Sequence, residues 1–178
     1  MSGQKEVHLT RGIVAGIVGG LVASWVMNEF MENLGPQLQK AVEKGETAAK
    51  TQQPQAGDKP DDATMKTADA VVSTLTGGRH LSHEEKEKGG PIVHYAFGAL
   101  MGAVYGAIAE EMPAATTGFG TAFGAALFTG ADLVAVPALN LSQSSGDEPV
   151  SSLATPFAAH LVYGAATEAV RRLVRALL

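Results

Sequence analysis

The 178-residue chain contains no cysteine. Disulfide bonds, thiolate metal sites and cysteine nucleophiles are therefore excluded. Charged residues are also scarce, at 17% of the chain against roughly 25% in soluble domains. The net charge is −5 and no basic stripe is present, so nucleic-acid binding has no electrostatic basis.

The few charged residues are concentrated in one segment. More than half of them lie between Asn33 and Gly90, and most of the others stand at the ends of apolar runs. The mean hydropathy of +0.09 is therefore an average over one polar segment and several apolar ones. The polar segment, about 33–90, is predicted to be a soluble insert.

Four apolar runs predict membrane-spanning helices. The clearest begins at Pro91 and reaches Ala109 without a charged residue, which is about the length that crosses the ~30 Å hydrocarbon core of a bilayer. A chain of this size has no room to bury four uniformly apolar helices in its own core. The predicted fold is an all-α polytopic membrane protein, a four-helix transmembrane bundle with spans at about 12–30, 91–110, 116–138 and 154–173.

The insert is predicted to be helical outside the membrane. One amphipathic helix is expected from Leu34 to Lys50, followed by a linker over 51–62. Asp61 or Asp62 is suited to cap a second helix that Gly77 and Gly78 would stop. The sequence Gly-Gly-Pro at 89–91 is then predicted to break the chain before the second span.

Small residues recur at intervals of four along the apolar runs. This spacing lets helix backbones approach closely in lipid. The predicted helix-packing positions are Gly12, Gly16, Gly20, Gly98, Gly102, Gly106, Gly124 and Gly164.

The second and fourth runs resemble each other. HYAFGALMGAV, starting at His94, aligns with HLVYGAATEAV, starting at His160, and the first and third runs align loosely with Gly12 on Gly118. The alternatives are a duplicated two-helix hairpin, which would be a parallel repeat, and chance similarity between Ala/Gly-rich helices. The paired histidines favour the duplication.

The distribution of basic residues predicts the membrane orientation. Arg171, Arg172 and Arg175 follow the last run, and Lys5 and Arg11 precede the first. Basic residues near the ends of spans favour the cytoplasm, so both termini are expected there. The basic residues of the long insert argue for the opposite orientation, but they are spread out.

Several short motifs together resemble a known family. They are the span that opens with His94 and reaches Ala109 and Glu110, then Pro113, Pro137, the His160-Leu161-Val162 triplet, Glu168 and the Arg171-Arg172 pair. This combination is similar to the YagU-like family of bacterial inner-membrane proteins, whose biochemical function is unknown. The resemblance implies a bacterial inner-membrane location and a role in acid tolerance, and it supplies no catalytic residues.

Ionisable side chains inside the spans are candidates for function. A charged group there costs about 2.5–3.5 kcal/mol on insertion scales, so each needs a reason. The candidates for a polar cleft or proton relay are His94, Tyr105, Asp132, His160, Tyr163 and Glu168. The alternative is structural: the histidines would bond backbone carbonyls or a Tyr hydroxyl, and Glu168 would pair with Arg171 or Arg172.

His94 and His160 also permit a second hypothesis. Two imidazoles across a helical bundle can ligate a b-type haem or a metal ion. No phosphate-binding loop and no serine nucleophile elbow are present, and the protein is expected to be non-enzymatic. No cofactor is expected, with a b-type haem as the alternative.

The sequence thus predicts a non-enzymatic inner-membrane protein. It would pass protons or a small solute, or support acid and envelope homeostasis, through a polar cleft between helix repeats. The alternatives are a haem- or metal-binding electron-transfer or anchor subunit, and a structural helix-packing subunit of a larger complex. The expected partners are the lipid bilayer and further copies of the chain or other membrane subunits.

Overall fold

The computed structural model describes residues 2–45, 61–141 and 150–178, and over this part of the chain the fold is all-helical. The linker predicted at 51–62 lies outside these residues except for its last two positions. The elements are α1 (Ser2–Asn33), α2 (Gly35–Gly45), α3 (Ala63–Thr76), α4 (His83–Glu111), a 3-10 turn (Pro113–Thr116), α5 (Thr121–Leu127), a π-helical segment (Phe128–Ala135), α6 (Val136–Ala138) and α7 (Val150–Leu177).

Helix α3 of the insert has the predicted boundaries. The Asp62 carboxylate accepts hydrogen bonds of 2.9 Å from the backbone amides of Thr64 and Met65, which satisfies donors that the first helical turn leaves free. Gly77, at φ 75°, ends the helix in the left-handed conformation that glycine adopts without steric cost. The predicted cap and stop are confirmed.

The predicted break at residues 89–91 is wrong. Helix α4 begins at His83 and continues through Pro91. Ser82 and Glu85 form a capping box that starts the helix there, and Pro91 removes only one backbone donor. The two glycines instead allow α3 to pack closely against α4. A Cβ on Gly89 would lie 2.9 Å from the Cβ of Ala68, and one on Gly90 would lie 3.0 Å from Thr64 Oγ1.

Within the described residues, three helices are long and apolar enough to cross a membrane: Glu6–Asn33, His83–Glu111 and the continuous helix Thr121–Ala138. The last comprises α5, the π-helical segment and α6, and is called the α5–α6 helix below. Helix α7 is long but carries Glu168 and Arg171, and it packs against α1 and α5. Several of its polar side chains, including Thr167, Glu168 and Arg171, are buried in the bundle.

Glycines bring α1 and α4 into backbone contact. A Cβ built on Gly16 or on Gly20 would overlap the carbonyl oxygen of Gly102 or of Gly98, respectively. At the next turn, a Cβ on Gly12 would lie 2.8 Å from the carbonyl oxygen of Gly106. This contact is called the first glycine seam, and it leaves no space for a side chain at these positions.

A second glycine seam joins α5 to α7. A Cβ on Gly124 would overlap the carbonyl oxygen of His160, and one on Gly120 would overlap that of Gly164. Gly120 also has a φ of 81° at the start of α5, where a side chain would be strained. Both requirements are met by glycine alone.

Asp132 lies in the π-helical segment that precedes Pro137. Proline lacks the amide that would continue regular helical bonding, and wider turns of this kind occur often at functional sites. A Cβ on Gly130, in the same segment, would have no neighbouring atom within 4 Å. The helix therefore has free space beside Gly130, two residues before Asp132.

Candidate functional site: a cavity between the helices

A cavity of about 650 Å³ lies between α1, α3, α4, the α5–α6 helix and α7. Most of its wall is apolar. The polar side chains on the wall include Ser24, Thr64, His94, Asp132, His160 and Tyr163. Four of the six residues predicted for a polar cleft or relay therefore meet at one place, although they are far apart in sequence.

Asp132 and His160 approach each other across this cavity. The Nδ1 atom of His160 lies 3.0 Å from the carbonyl oxygen of Pro156. Since a carbonyl oxygen can only accept, this nitrogen carries the proton and donates it. Asp132 Oδ2 lies 3.7 Å from the same nitrogen, close enough for an ion pair when the imidazole is protonated. In the neutral ring, Nε2 keeps the free lone pair.

His94 and Ser24 present polar atoms with no hydrogen-bond partner among the described residues. The His94 Nε2 atom and the Ser24 Oγ atom are both buried, and both residues line the cavity. A buried polar atom is costly unless it is bonded. Both residues line the cavity, but these two atoms lie within its wall and are not exposed to the open space.

His94 also borders a second pocket, of about 470 Å³, on the side of the insert. This pocket is lined by polar residues that include Asn28, Asp62 and Glu87. Thr64 of α3 lines both spaces. His94 and Thr64 therefore stand between the polar surface of the insert and the cavity inside the bundle.

Tyr163 connects α7 to α4 at the cavity wall. Its hydroxyl donates a 2.6 Å hydrogen bond to the carbonyl oxygen of Gly98, a residue of the first glycine seam. Because its hydroxyl proton is used in this bond, Tyr163 presents mainly its aromatic ring to the cavity.

Tyr105 and Glu168 lie elsewhere, in a buried ionic cluster. Glu168 accepts hydrogen bonds from Tyr105 Oη at 2.9 Å, from Arg171 Nε at 2.7 Å and from Arg172 Nε. Neither residue lines the cavity. The Glu168 carboxylate thus accepts four hydrogen bonds, two of them from Arg171. Because Tyr105 belongs to α4, this cluster links α4 to α7.

The cluster continues to the ends of α1 and α4. Arg175 Nε donates to Glu110 Oε1 at 2.7 Å, and Arg175 Nη2 lies 2.8 Å from His8 Nδ1. These contacts join α1, α4 and α7 at the end of the bundle that carries the arginines. A pairing of Glu168 with Arg171 and Arg172 was one of the two interpretations that the sequence allowed.

Sequence reasoning did not select three residues that shape the site. Ser24 stands one turn after Gly20 in the row of small residues, a signal that could have identified it. Gly120, which belongs to the second glycine seam, was not among the predicted helix-packing positions. Thr64 carried no signal, because its helix was assigned to an insert separate from the spans.

Among the described residues, the structure has no cluster of side chains that would bind the metal ion of the alternative hypothesis. Across the ranges 2–45, 61–141 and 150–178, no group of three or more His, Asp or Glu side chains is placed to hold a metal ion. His94 and His160 do line the same cavity.

Comparison with known proteins places the chain in a family. The family model described as "Protein of unknown function (DUF1440)" matches residues 55–169. The chain belongs to this family. Neither a curated protein nor a solved structure matches it. The matched range of this DUF1440 protein includes α3 and the cavity-lining parts of α4, the α5–α6 helix and α7, so α3 is part of the family domain.

Proposed function

We propose that this DUF1440 protein is a non-enzymatic membrane protein that binds a small solute in the cavity and passes it, or a proton, between the two sides. One observation carries the proposal. His94, Asp132 and His160, from three different helices, line one cavity whose volume is within the roughly 300–1,000 Å³ typical of small-molecule sites.

The polar groups lie along a route from the insert to the interior. His94 borders both the outer polar pocket and the cavity, and the Asp132–His160 pair lines the same cavity. Ionisable groups inside a membrane protein commonly mark solute or proton pathways. The route supports passage better than it supports a purely structural role.

We further propose that α7 is a fourth span. Its 28 residues would be about 42 Å long at 1.5 Å per residue, longer than the hydrocarbon core. The two glycine seams, one in the α1–α4 pair and one in the α5–α7 pair, support a duplicated hairpin. The arginines that follow α7 support cytoplasmic termini. A YagU-like identity, the bacterial inner membrane and a role in acid tolerance remain proposals that rest on the sequence motifs.

The haem alternative has one observation in its favour. His94 and His160 line the same cavity, and the bond from His160 Nδ1 to Pro156 leaves Nε2 as the ligating atom. A visible spectrum of the purified protein after haem supplementation tests this. A Soret band that is lost in His160→Ala would support it, and a spectrum without such a band would eliminate it.

The structural-subunit alternative has less support. The glycine rows that would dock a partner helix are occupied within the chain by the two seams. Mass measurement of the protein in mild detergent tests this alternative, since a monomer with no other subunit would contradict it.

The proposed function is tested by the water accessibility of the cavity. Since the chain has no cysteine, Gly130→Cys introduces a single thiol at a cavity position with free space around it. Maleimides react with the thiolate, which forms only in contact with water. Leu100→Cys, on an apolar face that is 57% exposed, is the matched control.

We expect N-ethylmaleimide to modify Gly130→Cys in native membranes at least tenfold faster than Leu100→Cys. Equal, slow labelling of both variants would contradict a water-accessible cleft and with it the proposed function.

A further inference from the structure

The cavity wall carries one formal negative charge. Asp132 is the only Asp, Glu, Lys or Arg side chain among the described residues that line it. Its nearest basic group is His160, whose Nδ1 proton is already donated to Pro156. A carboxylate in such an environment, with no arginine or lysine opposite, favours a positively charged partner.

The rest of the wall is suited to an apolar body. Phe97, Tyr163 and His94 contribute rings, and Met27 and Met101 contribute flexible apolar side chains. Aromatic ring faces attract cations, and methionine adapts to ligands of different shapes. An anionic ligand would face an unneutralised carboxylate here, and a neutral ligand would leave it without a counter-charge.

An aromatic contact between α4 and α5 limits the cavity at one end. Helix α4 packs on α1 and α3, whereas α5 packs on α7. Between these pairs, the rings of Tyr105 and Phe123 meet at 4.6 Å, one turn beyond the cavity residues Met101 and Leu127. This contact closes the cavity at the end nearest the ionic cluster. On the other side of the contact, the cavity lies between α4 and the α5–α6 helix.

We propose that the cavity binds a lipophilic organic cation whose charge pairs with the Asp132 carboxylate, and that this cation and a proton compete for the same carboxylate. The inference rests on the proposed function and names its ligand class. When a monovalent cation binds, one proton leaves the Asp132 oxygen for water, so the charge of the site is the same in both states.

Competition at Asp132 also depends on the groups that face it. Helix α7 contributes His160 and helix α4 contributes His94, whose imidazoles are the other titratable groups of the wall. Helices α1 and α3 contribute Ser24 and Thr64, which carry no charge. A proton on either imidazole would add positive charge to the cavity and oppose a cation there.

The test uses the purified full-length protein in detergent and tetraphenylphosphonium, a lipophilic cation without hydrogen-bond donors. Binding is measured by equilibrium dialysis between pH 5 and 8. We expect Asp132→Asn to weaken binding at least tenfold and Asp132→Glu to keep it within threefold of the natural protein. The neutral analogue triphenylphosphine oxide should not lose affinity in Asp132→Asn. Affinity for the cation should fall as the pH falls in the natural protein and change less in Asp132→Asn.

Three outcomes would overturn the inference: no binding of tetraphenylphosphonium, equal binding by Asp132→Asn, or an affinity independent of pH in the natural protein. The pH series needs no variant, so an affinity that stays constant between pH 5 and 8 overturns the inference even if Asp132→Asn does not fold. Rapid labelling of Gly130→Cys without cation binding would reject the ligand class alone, whereas absence of labelling would reject the cleft itself.

Discussion

The hydroxyl of Tyr105 donates a 2.9 Å hydrogen bond to the carboxylate of Glu168, and both side chains are fully buried. This bond joins α4 to α7 across the bundle. Arg171 and Arg172, on the next turn of α7, neutralise the same carboxylate. Because buried charges are tolerated only when they are paired and hydrogen-bonded, the link determines how the charged end of α7 sits among apolar helices.

Removing the Glu168 charge should destabilise the protein strongly. In Glu168→Gln, Arg171 would stay buried without its main counter-ion, and breaking a buried pair in this way costs about 3–5 kcal/mol. Unfolding in mixed micelles with increasing SDS measures the loss. Glu84→Gln is the control, since Glu84 and its partner Lys88 are both about three-quarters exposed and such surface pairs contribute less than about 1 kcal/mol. Similar losses in the two variants would contradict the role of the cluster.

Two tyrosines allow a comparison of hydrogen bonds. Tyr105→Phe removes a bond to a carboxylate, which contributes about 1.5–3 kcal/mol. Tyr163→Phe removes a bond to the Gly98 carbonyl, and bonds between membrane helices average about 0.6 kcal/mol. The same unfolding assay should show a larger loss for Tyr105→Phe. The reverse order would mean that the Gly98 contact, and not the ionic cluster, is the main link between α4 and α7.

The first glycine seam should not tolerate a methyl group. In Gly102→Ala the new Cβ would overlap the Gly16 carbonyl oxygen and approach Gly20 Cα to 2.8 Å. Helices α1 and α4 would have to separate, at a cost of at least about 1–3 kcal/mol. Gly130→Ala adds the same methyl group where no atom lies within 4 Å, so its melting temperature should not fall. Equal melting temperatures for the two variants would contradict the close backbone contact.

The attachment of α3 to α4 should weaken in acid. Hydrogen bonds from Lys86 and then His83 lower the pKa of Asp61, and hydrogen bonds from the Leu81 amide and then His80 lower that of Asp69. A carboxyl whose pKa is lower in the folded state stabilises fully above its unfolded pKa, and this stability is lost as the pH falls through the folded value. We therefore expect the attachment to hold at pH 7 and to weaken below about pH 4.

Amide hydrogen exchange in α3, expressed as protection factors that remove the intrinsic effect of pH, measures this change. Protection should fall below pH 4 in the natural protein. The double variant Asp61→Asn, Asp69→Asn should already show low protection at pH 7 and little further change in acid. Protection that stays constant in the natural protein down to pH 3 would show that the two carboxylates do not hold α3.

Local signals in the sequence were sufficient for most helices. Asp62 and Gly77 marked both ends of α3, because caps and stops depend on a few neighbouring residues. The apolar runs marked α1, α4 and the α5–α6 helix. The Gly-Gly-Pro sequence at 89–91 gave a wrong prediction of a helix break, because it too was interpreted from neighbouring residues alone. Read locally it is a helix breaker, yet in the fold the glycines provide space for α3 and the capping box at Ser82 has already started α4.

The sequence by itself determined an all-helical chain with apolar helices, the limits of the insert helix α3, and the polar residues that needed partners. Only the tertiary structure decided which of these residues meet. It placed His94, Asp132 and His160 around one cavity and Tyr105 with Glu168 in a separate cluster. Helical periodicity shows which side chains share a face of one helix, whereas the face that each helix turns toward another depends on contacts between residues far apart in the chain.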